Sequence, residues 1–184
     1  SQAGPLVAVA NYEPGGVRIF RADTLGEVAE IPAVGASGKR SKVVGLVDAP
    51  GRKFVFTLYD AGEIWVADMR DPEEPQIRKF TDIGKLPYDA NITPDGRYYV
   101  AGLFGEDGLA LLDMWNLENG VKRILDGYGR GEEALPVYKM PHLEGWGATN
   151  DVLLLPAVGH NEILLVDTPS WHEGARVPVQ ISTV

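Results

Sequence analysis

Four short, strand-like runs of this 184-residue chain close on an aspartate, at Asp23, Asp68, Asp113 and Asp167. Asp23 to Asp68 and Asp68 to Asp113 are each 45 residues, and Asp113 to Asp167 is 54. A repeat of about 40 to 45 residues made only of short strands is the period of β-propeller blades, each a four-stranded sheet that cannot bury its faces without neighbours. Few other folds accept that period.

A second landmark keeps the same phase. Asp48-Ala49-Pro50-Gly51-Arg52 recurs as Thr93-Pro94-Asp95-Gly96-Arg97, with Gly51 and Gly96 again 45 residues apart. Proline presets φ, glycine accepts positive φ, and the arginine opens the next strand, so each copy predicts a hairpin between the two inner strands of a blade. The third copy is degenerate, Ala148-Thr149-Asn150-Asp151 ahead of Val152 to Ala157, and the extra residues of that repeat fall in an enlarged loop over 126–139. Leu6 to Ala10 matches the second strand of the other blades, which leaves the first blade without its innermost strand. The prediction is an all-β chain: a β-propeller fragment of about four blades forming one unit over 1–184, with blades at roughly 5–34, 42–82, 87–126 and 140–180. An open array exposes sheet edges, and residues 181–184 of a second copy are candidates to supply the strand absent from the first blade, giving a homodimer.

Composition narrows the chemistry. With no cysteine there is no disulfide, thiolate metal site, cysteine nucleophile or Cys-x-x-Cys-His haem attachment. Seventeen basic against 26 acidic residues give a net charge of −9, the wrong balance for a protein that tracks phosphates, so nucleic acid is not expected as a partner.

In a propeller, the loops entering each innermost strand and those between strands two and three open on one face around the channel, while the proline-glycine hairpins face the other way. Loops on a rigid scaffold are where ligand chemistry is usually carried. On that face the chain places His142 and His160, both from one blade. A histidine pair at a channel mouth suits acid–base chemistry or ligation of a metal, haem iron included. Loop histidines bonded to backbone or water are the other reading, and spacing does not separate the two. The basic cluster Lys39, Arg40 and Lys42 matches a ligand with several carboxylates, with arginine offering a bidentate fork, or else forms a solvated loop. Tyr59, Tyr88 and Trp146 suit the wall of a flat apolar ligand, or simple core packing. The four repeated aspartates sit at equivalent blade positions, which points to turn capping rather than catalysis.

Several stretches resemble the d1-haem domain family, the propeller of cytochrome cd1 nitrite reductase. They are Arg40-Ser41-Lys42-Val43-Val44-Gly45-Leu46, Asp60 to Asp68, Lys139-Met140-Pro141-His142-Leu143-Glu144-Gly145-Trp146, and Pro156-Ala157-Val158-Gly159-His160. The resemblance implies an eight-bladed propeller, of which this chain is about half, holding heme d1 or its dihydro precursor in the channel mouth. It further implies a place in the late steps of d1-haem biosynthesis for nitrite reductase in denitrification, and a periplasmic location. The partners it implies are the tetrapyrrole and either other d1-haem maturation proteins or nitrite reductase. Carried over residue by residue, Arg40 and Lys42 would meet the macrocycle's carboxylates, and His142 and His160 would lie near the iron. If the protein is an enzyme, it would be a dehydrogenase on the precursor, with His142 or His160 accepting the proton and the macrocycle the electrons. The alternative is a cofactor-free propeller scaffold for protein–protein interaction, since fold alone licenses neither.

Overall fold

The computed structural model describes residues 4–126, 145–157, 160–168 and 170–179. Its strands form four antiparallel sheets, each ordered as the chain runs. The first holds β1 (Leu6–Ala10), β2 (Val17–Arg21) and β3 (Glu27–Ile31). The second holds β4 (Val43–Ala49), β5 (Lys53–Leu58), β6 (Glu63–Asp68) and β7 (Gln76–Phe80). The third holds β8 (Pro87–Ile92), β9 (Tyr98–Leu103), β10 (Leu109–Asp113) and β11 (Val121–Ile124). The fourth holds β12 (Gly147–Ala148), β13 (Val152–Ala157), β14 (Glu162–Asp167) and β15 (His172–Pro178). A short 3-10 turn lies at Leu117–Asn119, between β10 and β11. The chain is therefore all-β, as the period predicts, with three strands in the first sheet and four in each of the others.

Alternation of side chains explains how the sheets stack. Successive residues of a strand point to opposite faces, so one middle strand can feed two cores. Phe54 and Phe56 of β5 join Leu6, Val17 and Ile19 of the first sheet, whereas Val55, between them, joins Tyr99, Ala101 and Leu112 of the third. Val100, on the other face of β9, packs with Leu153, Leu155 and Leu164 of the fourth sheet. Each interface between neighbouring sheets thus has its own apolar cluster. Middle strands covered on both sides are buried almost throughout, as in β5, β6, β9 and β10, while β15 is exposed along its length.

The predicted turns form, with one difference. Gly51 and Gly96 adopt φ of 76° and 72°, the left-handed region a side chain resists. Arg52 and Arg97, however, close the turn rather than open the strand, and β5 and β9 begin one residue later. Their carbonyls are committed to the neighbouring turn, accepting the Met69 N–H at 2.8 Å and the Met114 N–H at 2.7 Å. Turn capping by the repeated aspartates is visible in three copies: Asp68 accepts the Arg70 N–H, Asp113 the Trp115 N–H and Asp167 the Ser170 N–H. Asp23 instead pairs with the Arg21 guanidinium at 2.9 Å.

At the inner edge, β4 and β8 pack closely around Gly45, whose φ is 56°. A Cβ there would lie 2.7 Å from the Ala90 Cβ and 3.0 Å from the Tyr88 carbonyl oxygen. The Gly45 carbonyl accepts a 2.6 Å hydrogen bond from the Tyr99 hydroxyl, whose pKa burial pushes well above its ordinary value. Antiparallel order then sends residues 11–16, 32–42, 59–62, 81–86 and 104–108, together with His160, to one end of the sheets. The hairpins at 50–52, 93–97 and 149–151 lie at the other.

Candidate functional site

The mouth end carries a row of aromatic rings. Tyr59 follows β5 and Phe104 follows β9, and each is held by the same kind of backbone bond, Tyr59 N–H to the Lys42 carbonyl at 2.9 Å and Phe104 N–H to the Leu86 carbonyl at 2.8 Å. Tyr88, on inner strand β8, lies between them. Its ring meets Tyr59 edge on at 5.8 Å and 74°, and meets Phe104 at 6.0 Å and 47°. The row is open to solvent at one end, where Phe104 is 44% exposed. Burial raises the Tyr59 phenol above its ordinary pKa, and the nearby Tyr12 and Asp60 act in the same direction.

Lys42 extends the row toward the first sheet. Its ammonium lies 5.8 Å from the centre of the Tyr59 ring and 5.6 Å from that of Tyr12, which is 48% exposed. It also pairs with two carboxylates, Asp60 at 3.2 Å and Glu13 at 3.5 Å. The hydrogen bond with Asp60 is the main reason its pKa stands above the ordinary lysine value. Asp60 is itself fixed, accepting the Lys42 backbone N–H at 3.0 Å, while buried Ser41 accepts the Asp60 N–H at 2.9 Å. Lys42 is thus a pin between the first two sheets. Arg40, two residues away, is different: with Lys39 it is exposed at the end of a small loop, and among the described residues neither cation is in an ion pair. That loop is closed by a bridge between Val34 and Arg40 and by the Gly35 N–H to the Lys39 carbonyl at 3.0 Å.

Beside the row, between the second and third sheets, a cleft of about 530 Å³ is lined by Asp60, Gly62, Gly84, Lys85, Glu106 and Arg123. Its charges are mixed and largely paired: Glu106 accepts the Lys85 backbone N–H at 2.7 Å and the Arg123 guanidinium at 3.1 Å. At the fourth sheet, His160 is half-buried just ahead of β14. His142 and the proposed histidine pairing lie outside the described residues, as do residues 181–184 and most of the enlarged loop. Trp146, immediately before β12, packs on the apolar cluster between the third and fourth sheets. Among the described residues no three His, Asp or Glu side chains gather as a metal site.

The structure therefore brings Lys42, Tyr59 and Tyr88 together, sets Arg40 at the edge of the same face, and packs half-buried Trp146 against the core between the third and fourth sheets. Sequence reasoning set Asp60 and Phe104 on this face but gave neither a role in the site, and it passed over Tyr12 and Glu13. Phe104 carries a readable signal, since it follows Tyr59 by 45 residues, one blade period. Glu13 carries none, because it meets Lys42 from a loop of the first sheet, and the Asp60 contact, 18 residues away, appears only once β4 and β5 have paired.

In the arrangement of its sheets, the chain is similar to the dihydro-heme d1 dehydrogenase NirN solved in complex with DHE, with a TM-score of 0.73 at 24% identity, covering 96% of this chain and 36% of that one. At that identity the likeness speaks for the propeller fold alone. In sequence, it is 58% identical over 181 residues to Protein NirF of Pseudomonas aeruginosa and 55% identical over 181 residues to Protein NirF of Stutzerimonas stutzeri. Both alignments cover 97% of this chain and 46% of the relative, so the chain spans about half the length of the curated relatives it matches. The profile of the Cytochrome D1 heme domain matches residues 1–182, and the chain belongs to that family.

Proposed function

We propose that the full-length protein carrying this chain binds heme d1 or its dihydro precursor against the loop face, and serves the late steps of d1-haem biosynthesis for nitrite reductase. The observation that carries this reading is the row Tyr59, Tyr88 and Phe104, which crosses the boundary between two sheets at the mouth. A tetrapyrrole is flat and apolar with carboxylates at its rim, so it needs ring surface beside fixed positive charge. These residues fit that need. Tyr59, Tyr88 and Phe104 supply the surface, and Arg40, free of ion pairs among the described residues, supplies a bidentate fork. Lys42, held between Asp60 and Glu13, fixes the Tyr59 edge of the row rather than supplying net positive charge. His160 and His142 are the side chains we assign to the iron or to a proton of the ligand, and Trp146 backs the site from the neighbouring core. When bound, the group would supply a redox-active iron macrocycle.

The family match and the likeness to the two NirF proteins support this pathway over a cofactor-free scaffold. The test is a spectral titration of the full-length protein with heme d1. A saturable shift of the Soret band is expected, and an unshifted band would remove the reading. As part of the same proposal the protein works in the periplasm, which fractionation of the source cells checks: recovery with cytoplasmic markers would refute it.

A further inference from the structure

Glu63 opens β6 at the mouth end and is 2% exposed. A carboxylate so deeply buried is costly unless its oxygens are hydrogen-bonded. Here they are, and the two bonds join different parts of the molecule. One oxygen accepts the Trp65 indole N–H at 2.7 Å, and the other accepts the backbone N–H of Ala36 at 2.6 Å, 27 residues away in sequence. Trp65 is a rigid anchor, itself 2% exposed, packed against Phe56 at 6.2 Å and capped by the Lys79 ammonium 4.0 Å from its ring centre. Ala36 belongs to the loop that ends in Lys39 and Arg40. The loop lies flat on this anchor because residue 35 is glycine. A Cβ there would come 2.7 Å from the Ala61 Cβ and 3.0 Å from the Glu63 carboxylate.

We infer that Glu63 is a positioning residue: its buried carboxylate clamps the Ala36 backbone to the Trp65 indole and so fixes the loop that presents Lys39 and Arg40 at the mouth. No neutral side chain does this equally well, because both bonds arrive as N–H donors and only a carboxylate offers each an acceptor without presenting a donor of its own. The consequence for ligand binding rests on the role of Arg40 proposed above, whereas the clamp does not.

The experiment uses the full-length protein and two readouts, the rate of tryptic cleavage after Lys39 and Arg40 followed by mass spectrometry, and the affinity for heme d1 followed by its Soret band. Glu63→Gln keeps the shape but sets an amide NH2 against one of the two N–H groups, so one bond is lost. Cleavage in the loop should rise about tenfold, with cleavage elsewhere unchanged, and heme d1 affinity should fall by a similar factor. Trp65→Phe removes the indole donor, the anchored end of the clamp, so loop cleavage should rise in this variant as well. Should Glu63→Gln fail to fold, Gly35→Ala lifts the same loop from the other side and is expected to raise loop cleavage alike. Unchanged cleavage in the folded loop variant, or in Trp65→Phe, overturns the clamp. A rise in cleavage with heme d1 affinity intact upholds the clamp and refutes the role given to Arg40.

Discussion

The rings of Tyr59 and Tyr88 meet edge to face where the second sheet joins the third, with centroids 5.8 Å apart and planes at 74°. Tyr88 touches Phe104 in turn, so Tyr88→Ala deletes both contacts of the row. Each such pair contributes about 0.5–1.5 kcal/mol beyond buried area, and a loss of heme d1 affinity of about tenfold is expected in the full-length protein. Tyr88→Phe should retain most of it. Spectral titration decides, and undiminished affinity in the alanine variant would separate the row from the ligand.

Arg40 and Lys42 sit two residues apart but should respond differently to replacement. Arg40 is exposed without an ion pair among the described residues, so Arg40→Ala is expected to leave the melting temperature unchanged and weaken heme d1 binding. Lys42 ties Asp60 and Glu13 together, so Lys42→Met should lower the melting temperature slightly, and the difference should shrink with added salt. A melting temperature that falls for Arg40→Ala and holds for Lys42→Met would reverse the assignment.

Acid sensitivity should come from the strand-end aspartates. For Asp113 the largest single influence is burial, which pushes the carboxyl up. The Arg97 guanidinium and the Trp115 N–H together outweigh it and hold the pKa below the ordinary value. Asp68 behaves alike, with Arg70 as its partner. A carboxyl depressed in the folded state stabilises fully above its unfolded pKa, near 4, and loses that contribution as pH falls through the lower folded value. Urea midpoints should therefore be flat down to about pH 5 and drop below about pH 4. Asp113→Asn should start lower and show a shallower acid limb, and an identical pH profile would contradict this account.

The two turn glycines share a conformation but not surroundings. Both have positive φ, which a side chain resists by roughly 1–2 kcal/mol. At Gly51 an added Cβ meets only the flexible end of Lys53, whereas at Gly96 it would fall 2.3 Å from the Pro50 ring of the neighbouring hairpin. Gly96→Ala should thus cost about 2–4 kcal/mol and Gly51→Ala about half that, read from denaturation midpoints. Equal losses would show that the hairpins do not press on one another.

The blade period was legible because it is a local property repeated. A strand needs alternating or continuous apolar residues, a tight turn needs glycine or proline, and both recur every 45 residues, so Gly51 and Gly96 predict each other. Antiparallel order then assigns each loop to an end of the sheets, which is why Tyr59 and Tyr88 could be placed on the mouth face from sequence. The one-residue shift at Arg52 and Arg97 escaped, since it depends on carbonyl bonds to the next turn, near Met69 and Met114.

By itself, then, the sequence determined the sheet succession, the hairpins and the end of the sheets to which each loop runs, all of which follow from near-neighbour steric rules. Only the tertiary structure decided that Lys42 is bound to Asp60 and Glu13 while Arg40 is not, that Trp146 lies against a core, and that Glu63 ties a loop to Trp65. Those outcomes depend on hydrogen bonds and charges effective over a few ångströms between residues tens of positions apart, and such distances exist only once the sheets have packed.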